Sequence, residues 1–302
     1  MSKSSAALER HAPPMRAAAP SESIHACPAC GPATIHRYLY SKNRCDILQC
    51  AACGLGRTET AAFDPSAYYT NGYFSGEQTD GYADYLGAEP VLRREFVRTL
   101  AFIRRYRRSG KLLEVGCAYG FFLQEAKRHF EVSGIELARD AAAHCRRNGL
   151  AVDTGAADEI NLNLRGPFDV IVLLDVIEHL PDPHETLALL AGRLAPGGII
   201  VLTTGDFGSL TARALRSTWR LMTPPQHLWF FTAGSMDRLA QRAGLAIEAL
   251  DHPWKIVPLS LIAYHLGRMV GSRVKLPAAS RTGVPVNLFD AMRVVLRHRG
   301  ER

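Results

Sequence analysis

Near the start of the chain, four cysteines form two C-x2-C pairs with 19 residues between the pairs: Cys27, Cys30, Cys50 and Cys53. This spacing is typical of structural zinc sites, in which each pair directs two thiolates at one ion. Gly31 and Gly54 follow the two pairs and supply the backbone freedom that such turns need. We therefore expect these four cysteines to bind one structural zinc ion. Two disulfides are the alternative, and Cys45 is a less favoured substitute ligand.

A second group of residues lies where an apolar run passes into a helical pattern. Gly116 and Gly120 would let a cofactor approach the backbone closely. Glu136 follows Glu114 by 22 residues, at the end of the next apolar run, where a carboxylate can accept both ribose hydroxyls. The G-x-x-x-G spacing differs from the G-x-G-x-x-G of NAD-binding turns. Glu114 would repel a pyrophosphate but attract the ammonium of a methionine, so the turn argues against NAD and for a ligand that carries such an ammonium.

A third group follows the apolar run 168–174. Asp175 stands at its end, where its carbonyl or carboxylate can face the ammonium of a bound ligand, and His179 comes four residues later. Imidazole has an ordinary pKa near 6.5 and can take a proton from a hydroxyl, so His179 is a candidate catalytic base. The alternative is that Glu178 and His179 cap the next loop. His227 is a second catalytic candidate, with a structural role as its alternative.

The elements that must position these residues alternate between short apolar runs and helical periods, which is typical of an α/β fold. The predicted strands cover residues 111–116, 132–137, 151–154, 168–174, 199–204, 246–250 and 292–297. The predicted helices cover residues 119–130, 139–148, 183–194 and 232–243, the last with Thr232 as N-cap. This order predicts a doubly wound parallel sheet with its ligand over the carboxyl ends of the strands.

The chain divides into four predicted regions. Residues 1–23 are rich in Ala, Ser and Pro and lack the apolar core of a signal peptide, so we expect a disordered leader and a cytoplasmic location. Residues 24–60 form the predicted zinc ribbon. Residues 61–90 interleave aromatics with glycines, which suits a lid over a ligand, although a linker packed on the core is the alternative. Residues 91–302 form the predicted catalytic domain.

Composition and charge limit the classes of partner. The chain has 302 residues, of which 47% are hydrophobic and 22% charged, so it is not globally disordered. Residues 91–111 hold eight basic residues and one acidic residue, and residues 252–302 hold nine basic and two acidic. These basic flanks favour anionic partners, including nucleic acid or a membrane surface, unless they are only solvated helix faces. No apolar run reaches the roughly 20 residues that span a bilayer.

Four blocks resemble the class I S-adenosylmethionine-dependent methyltransferases, in that family's order: residues 114–120, 134–136, 168–180 and 194–198. The resemblance implies a Rossmann-like sheet of seven strands whose last strand is antiparallel. It also implies cofactor contacts from ten residues: Glu114, Gly116, Cys117, Ala118, Gly120, Glu136, Leu137, Ala157, Asp158 and Asp175. The family often has glycine at the position of Ala118, where alanine is tolerated if its φ is negative. It often has an aspartate directly after the glycine that corresponds to Gly155, and Asp158 is the expected substitute.

A narrower resemblance, to a bacterial subgroup of secondary-metabolite and glycan pathways, rests on the zinc ribbon, the aromatic segment and the block PPQHLWFF at 224–231. It favours O-methylation of a small-molecule or glycan acceptor, which could be anionic. Similarity to quinone-pathway O-methyltransferases implies a divalent cation at Asp175, Glu178 and His179. The alternatives are an RNA base methyltransferase with a zinc ribbon and a non-catalytic scaffold. The first usually carries an Asn/Asp-Pro-Pro-aromatic block that is missing here, and the second would have a damaged cofactor turn.

Overall fold

The structure is a computed structural model that describes residues 21–60, 63–75, 84–158, 162, 166–259 and 282–300. Most of the predicted leader and residues 61, 62 and 76–83 of the predicted lid lie outside the described residues. The strands are β1 Glu22–Cys27, β2 Gly31–Lys42, β3 Cys45–Cys50, β4 Gly56–Glu59, β5 Lys111–Val115, β6 Glu131–Glu136, β7 Ala151–Thr154, β8 Phe168–Leu174, β9 Leu194–Gly205, β10 Trp229–Phe230, β11 Leu245–Asp251, β12 Lys255–Pro258, β13 Gly283–Val286 and β14 Ala291–His298.

The helices, in chain order, are α1 Pro65–Tyr68, α2 Asn71–Ser75, α3 Glu89–Ile103, α4 Phe121–Ala126, α5 Arg139–Arg147, α6 Pro183–Ala191, α7 Leu210–Leu215 and α8 Ala233–Arg242. Thr232 caps α8 as the sequence predicts, because its hydroxyl accepts the Ser235 N–H while the Ser235 hydroxyl accepts the Thr232 N–H. No helix in the described part of the chain is long and apolar enough to cross a membrane.

The central sheet has seven strands in the order β11-β14-β9-β8-β5-β6-β7. Strands β5 to β9 run parallel, whereas β14 is antiparallel to both of its neighbours. This topology confirms the Rossmann-like sheet of class I methyltransferases. Leu113 and Val115 of β5 face one apolar core, and Leu112 faces the other, so both faces of the sheet are covered. The carboxyl ends of β5, β6, β7 and β8 therefore meet at one edge.

Some element bounds differ from the predicted ones. Helix α4 is shorter than predicted, and β9 begins at Leu194 rather than at residue 199. The early start follows from pairing between Phe168 and Leu194, with an irregularity before the regular ladder resumes at Val170 and Ile199. Gly197 has a φ of +67° within this irregular stretch. Long-range pairing thus extends a strand through a Pro-Gly-Gly segment that local propensity excludes.

A second sheet, which we call the ribbon sheet, contains β1-β2-β3-β4-β10 in that order, and every pair is antiparallel. Asn43 and Arg44 form the two-residue turn between β2 and β3, and both have positive φ, as tight hairpin turns require. The first four strands come from the predicted zinc ribbon, but β10 comes from the block at 224–231. Cys27 and Cys50 also pack into the same core as α8, so the ribbon shares its interior with the central sheet.

Candidate active site and metal centre

The turn between β5 and α4 has the backbone conformation of a close-approach site. Gly116 and Gly120 have φ of +71° and +75°. A Cβ atom at Gly116 would lie 2.7 Å from Val176 Cγ2, and one at Gly120 would lie 2.5 Å from Leu150 Cδ1. Both glycines are therefore needed for conformation and for space. The turn lies at the carboxyl edge of the sheet, where the sequence predicts the cofactor.

Ala118 does not meet the condition of a negative φ, because its φ is +46°. An alanine in this left-handed conformation costs about 1–2 kcal/mol. Hydrogen bonds on both sides hold it there: its N–H donates to Glu136 Oε2 at 2.7 Å, and its carbonyl accepts the Cys145 thiol at 3.3 Å. Neighbouring groups therefore compensate for the missing glycine.

Glu136 lies at the end of β6, beside the turn, as predicted. Its Oε2 accepts the Ala118 N–H and its Oε1 accepts the Ala138 N–H, each at 2.7 Å. Burial raises the pKa of Glu136, and these backbone donors oppose the rise. Each oxygen retains a further lone pair, so the carboxylate can still accept a ligand hydroxyl. Gly155 donates its N–H to the Glu136 carbonyl at 2.9 Å, which brings the segment of Ala157 and Asp158 to the same edge.

Glu114 is buried within β5, with 3% of its surface exposed. Its Oε2 has no hydrogen-bond partner among the described residues, and burial raises its pKa well above the ordinary value. A buried carboxyl oxygen without a partner is costly, so this atom fits a donor from a bound ligand. Cys117 is buried in the core with Cys145, a position that suits packing.

Asp175 stands at the end of β8 with a φ of +56°. Thr203 holds its backbone, since the Asp175 N–H lies 3.0 Å from both the Thr203 carbonyl and hydroxyl oxygens. Its carboxylate pairs with Lys255, whose Nζ lies 2.8 and 3.0 Å from the two oxygens. Desolvation opposes ionisation, but the lysine and Thr203 outweigh it and lower the pKa of Asp175. Sequence analysis missed Lys255, because no motif surrounds it.

The turn that follows β8 brings three side chains together. Potential ligand atoms of Glu178, His179 and His227 all lie within 4.8 Å of one another. Within the described residues, His227 takes the place in this group that the sequence assigned to Asp175, because Asp175 faces Lys255 instead. The two imidazole rings meet edge to face, with centroids 4.7 Å apart. We call these three residues the Glu-His-His group.

The pKa values of the three side chains in the Glu-His-His group differ from their ordinary values. Desolvation lowers the pKa of His179 to about 4, and it also lowers that of His227 well below its ordinary value. Burial, together with the negative charge of Asp175, raises the pKa of Glu178 to about 8. Glu178 Oε2 has no hydrogen-bond partner in the described part of the chain. Near neutral pH both imidazoles are therefore uncharged.

Tyr69 reaches the same group from the aromatic segment. Its hydroxyl lies 2.7 Å from His179 Nδ1, and the Gln226 carbonyl lies 2.8 Å from the same nitrogen. A carbonyl only accepts, so Nδ1 carries the proton and Nε2 keeps a lone pair. The sequence predicted an aromatic lid but did not single out Tyr69; its signal was the Tyr68-Tyr69 doublet.

The four predicted metal ligands also converge. The sulfur atoms of Cys27, Cys30, Cys50 and Cys53 all lie within 4.8 Å of one another, and Cys27 Sγ lies 3.7 Å from Cys53 Sγ. Tetrahedral zinc with bonds of about 2.3 Å separates sulfurs by about 3.8 Å, whereas a disulfide bond is about 2.05 Å long. The geometry therefore fits a metal better than two disulfides. Cys45 lies outside this group at the β2–β3 hairpin and donates to the Asn43 carbonyl at 3.7 Å.

Comparison with known proteins identifies the family. A family model described as a methyltransferase domain matches residues 88–250, which is more than half of the chain. The chain belongs to this methyltransferase family. The methyltransferase is 30% identical over 191 residues to the ubiquinone biosynthesis O-methyltransferase of Caulobacter vibrioides, covering 51% of this chain and 75% of that one. It is 28% identical over 193 residues to the protein of the same name from Caulobacter sp. (strain K31), covering 54% and 76%.

Among solved structures, the methyltransferase matches a chain of the complex between the Haloferax volcanii Trm112 methyltransferase activator and a candidate methyltransferase. The TM-score is 0.51 at 13% identity, over 79% of this chain and 99% of that chain, which supports the fold alone. Family and fold together make this protein an S-adenosylmethionine-dependent methyltransferase of class I. Its residues fit that cofactor, because Glu114 has a buried oxygen with no partner among the described residues and Glu136 presents a carboxylate at the end of β6, beside the glycine turn.

Proposed function

We propose that the methyltransferase transfers a methyl group to a hydroxyl oxygen of a small-molecule acceptor, a class that includes glycan hydroxyls. The observation that carries this proposal is the Glu-His-His group beside the end of β8, with ligand atoms within 4.8 Å. Uncharged imidazoles are bases that can take the proton which a hydroxyl loses on methylation. The names of the two Caulobacter relatives, both O-methyltransferases, support an oxygen acceptor.

The cofactor residues follow from the turn and its neighbours. When bound, S-adenosylmethionine supplies a methyl group attached to a sulfonium sulfur. The leaving group is a neutral thioether, so no acid has to protonate it. The chain must therefore align the acceptor, exclude water and hold one proton. The turn at 116–120 and Glu114 would hold the amino-acid end, and Glu136 would hold the ribose. Leu137, Ala157 and Asp158 follow strands β6 and β7 at the same edge and would lie near the adenine.

Within the Glu-His-His group, His179 has the defined tautomer of a base. Its Nδ1–H donates to the Gln226 carbonyl, which leaves the lone pair on Nε2 for a substrate proton. His227 lies edge-on to it and can share that role. Glu178 carries its own proton near neutral pH, so the group starts uncharged. When an imidazole takes the proton of the acceptor, it becomes the one positive charge in the group. The Glu178 carboxyl beside it can then ionise and balance that charge.

A divalent cation held by the Glu-His-His group would be a second way to activate the hydroxyl. Two imidazoles and a carboxylate are ordinary ligands of divalent transition metals and zinc, and a bound cation lowers the pKa of a coordinated hydroxyl. The close approach of the three ligand atoms favours this candidate, and His227 replaces the predicted Asp175 in it. The two mechanisms differ in their response to chelators.

The acceptor itself is proposed to carry an anionic group. Lys255 forms an ion pair with Asp175 at the carboxyl edge of the sheet, and 25% of its side chain remains exposed. Arg220, which pairs with Asp290 at 2.8 Å, lies close enough for its charge to act on both Asp175 and His227. A nucleic acid acceptor is less favoured, because β8 is followed by Asp175-Val176-Ile177-Glu178 rather than by an Asn/Asp-Pro-Pro-aromatic block.

We also propose that Cys27, Cys30, Cys50 and Cys53 bind one zinc ion. Support comes from the sulfur spacing and from the positive charge of Arg238, whose Nη1 lies 3.5 Å from Cys30 Sγ. Zinc here would hold the two turns of the ribbon sheet together.

The test is a screen of phenolic, anionic and sugar hydroxyl compounds, with RNA as a comparison. It follows S-adenosylhomocysteine release and identifies the products by mass spectrometry.

With an active acceptor, His179→Ala and His227→Ala should each lower kcat by roughly 10²- to 10⁴-fold while cofactor affinity stays nearly constant. His129→Ala is the control, since His129 precedes β6 at the opposite edge of the sheet. Methylation of RNA alone, or full activity in both site variants, would contradict the proposal. Loss of activity with chelator at an unchanged zinc content, and recovery with a divalent cation other than zinc, would favour the metal mechanism.

A further inference from the structure

The block that carries His227 is part of the ribbon sheet. Strand β10 pairs antiparallel with β4, with Trp229 opposite Arg57 and Phe230 opposite Gly56. The approach is close, because a Cβ atom at Gly56 would lie 2.9 Å from Phe230 Cβ. The four strands of the predicted zinc ribbon therefore share a sheet with β10, the strand that directly follows the candidate catalytic histidine and its neighbour Leu228.

One residue of β4, Thr58, holds the backbone next to that histidine at two points. Its hydroxyl donates to the His227 carbonyl at 2.6 Å, and its N–H donates to the Leu228 carbonyl at 2.9 Å. Thr58 is buried, with 5% of its surface exposed. It pairs across the sheet with Ile47, which is fully buried, so Thr58 itself stands on a rigid support.

The same stretch is held from the opposite side by the active-site turn. The Leu228 N–H donates to the Glu178 carbonyl at 2.9 Å, and the Gln226 carbonyl accepts His179 Nδ1–H at 2.8 Å. Residues 226–228 therefore lie between the ribbon and the turn that carries the other two members of the Glu-His-His group. A shift of the His227 backbone would change the distance between the two imidazoles.

Further contacts bring the ribbon to both ends of the block. Asn43 Nδ2 donates to the Pro224 carbonyl at 2.8 Å, and the Thr232 hydroxyl donates to the Cys53 carbonyl at 3.4 Å. Thr58 lies between these contacts, at the point nearest the imidazole. Hydrogen bonds from the ribbon thus hold the block at its first residue, at its histidine and just beyond its end.

We propose that Thr58 is a positioning residue for methyl transfer: its hydroxyl and amide hold the carbonyls of His227 and Leu228, and so fix the His227 imidazole against His179. This inference rests on the proposed function of His227. Misplacement of a reacting group by about 1 Å can lower a rate by about 10²-fold, and a hydroxyl bonded to the adjacent carbonyl is able to prevent such a displacement. The ribbon would then contribute to the reaction through geometry, without touching the substrate.

The test compares Thr58→Val, which keeps the branched shape and loses the hydroxyl, with Thr58→Ser, which keeps the hydroxyl. Thr58→Val should lower kcat by roughly 10- to 100-fold with little change in cofactor affinity, and Thr58→Ser should restore most of the rate. Thr34→Val is the matched control, because the Thr34 hydroxyl donates to the His25 carbonyl at 3.0 Å in the same ribbon. Zinc content and cofactor binding show whether each variant is folded.

A second measurement separates this inference from the proposed function. In protein with ¹⁵N-labelled histidines, Thr58→Val should shift the ring signals of His227 and leave those of His129 unchanged. Unchanged His227 signals, or an unchanged kcat in Thr58→Val, would overturn the positioning role. Equal loss of activity in Thr58→Val and Thr58→Ser, together with lost zinc, would assign Thr58 to ribbon stability and also overturn it. Full activity in His227→Ala would instead overturn the proposed function, while a shift of the His227 signals would still show the contact.

Discussion

The Tyr69 hydroxyl lies 2.7 Å from Nδ1 of His179, 110 positions away in the sequence. This contact connects the aromatic segment before the catalytic domain to the turn after β8. The ring of Tyr69 also meets the His179 ring edge to face, with centroids 5.6 Å apart. Tyr69 of the aromatic segment therefore forms part of the candidate active site, while Phe74 and Tyr85 pack in a core with Tyr119 and Phe121.

Removal of this hydroxyl should slow the reaction without unfolding the protein. Tyr69→Phe keeps the ring contact and loses one hydrogen bond of about 1 kcal/mol, which corresponds to roughly a fivefold fall in kcat/KM. Steady-state kinetics with an acceptor from the screen provide the measurement. Tyr38→Phe is the control, because its hydroxyl contacts Ser41 on the exposed side of the ribbon. Equal kinetics for Tyr69→Phe and wild type would mean that the contact has no role in turnover.

Glu178 predicts a pH dependence of stability. Its folded pKa of about 8 lies above the ordinary value of 4.5, so its contribution is fully present below pH 4.5 and is lost as pH rises through 8. His179 acts in the opposite direction between about pH 6.5 and 4, since its folded pKa is lowered to about 4. Between pH 6.5 and 8, of these two residues only Glu178 should therefore change the free energy of unfolding, by up to about 2 kcal/mol.

Denaturant unfolding at several pH values, in buffer without added divalent cations, measures this effect. The wild type should lose stability from pH 6.5 to 8, and Glu178→Gln should flatten that slope. Glu185→Gln is the control, because Glu185 lies exposed in the first turn of α6. A slope that persists in Glu178→Gln would show that another group titrates.

Glu136 should support both the cofactor and the turn. Glu136→Ala removes the acceptor for the Ala118 N–H and for the proposed ribose hydroxyls, so S-adenosylmethionine affinity should fall by roughly 1 to 3 kcal/mol. Isothermal titration calorimetry measures the affinity directly. Glu131→Ala, at the exposed beginning of the same strand, should leave it unchanged. Wild-type affinity in Glu136→Ala would place the ribose elsewhere.

The cysteine group should contain one zinc ion per chain. Cys50→Ser should lower the zinc content and destabilise the ribbon, because metal binding at such a site contributes folding free energy. Cys45→Ser is a matched control, since Cys45 is equally a buried ribbon cysteine but lies outside the group. Elemental analysis and the charge-transfer absorption of the cobalt-substituted protein report the site. Zinc loss in Cys45→Ser, or full zinc in Cys50→Ser, would contradict the assignment.

Sequence alone determined the features that depend on neighbouring residues. The two C-x2-C pairs, the glycine turn after β5 and the capping residue Thr232 are local, because backbone conformation and short loops bring their atoms together. The sheet was also predictable, since its strands are short apolar runs separated by amphipathic helices. The resemblance in four ordered blocks then supplied the antiparallel last strand.

Only the tertiary structure decided which distant side chains meet. It placed His227 rather than Asp175 beside Glu178 and His179, and it paired Asp175 with Lys255, 80 positions away. It also gave Ala118 its positive φ, because Glu136 and Cys145 hold the peptide from outside the turn. Such contacts depend on how separate elements pack, and no local periodicity encodes a distance across the fold. The shifted pKa values follow for the same reason, because desolvation is set by the groups that pack around a side chain and not by its neighbours in the chain.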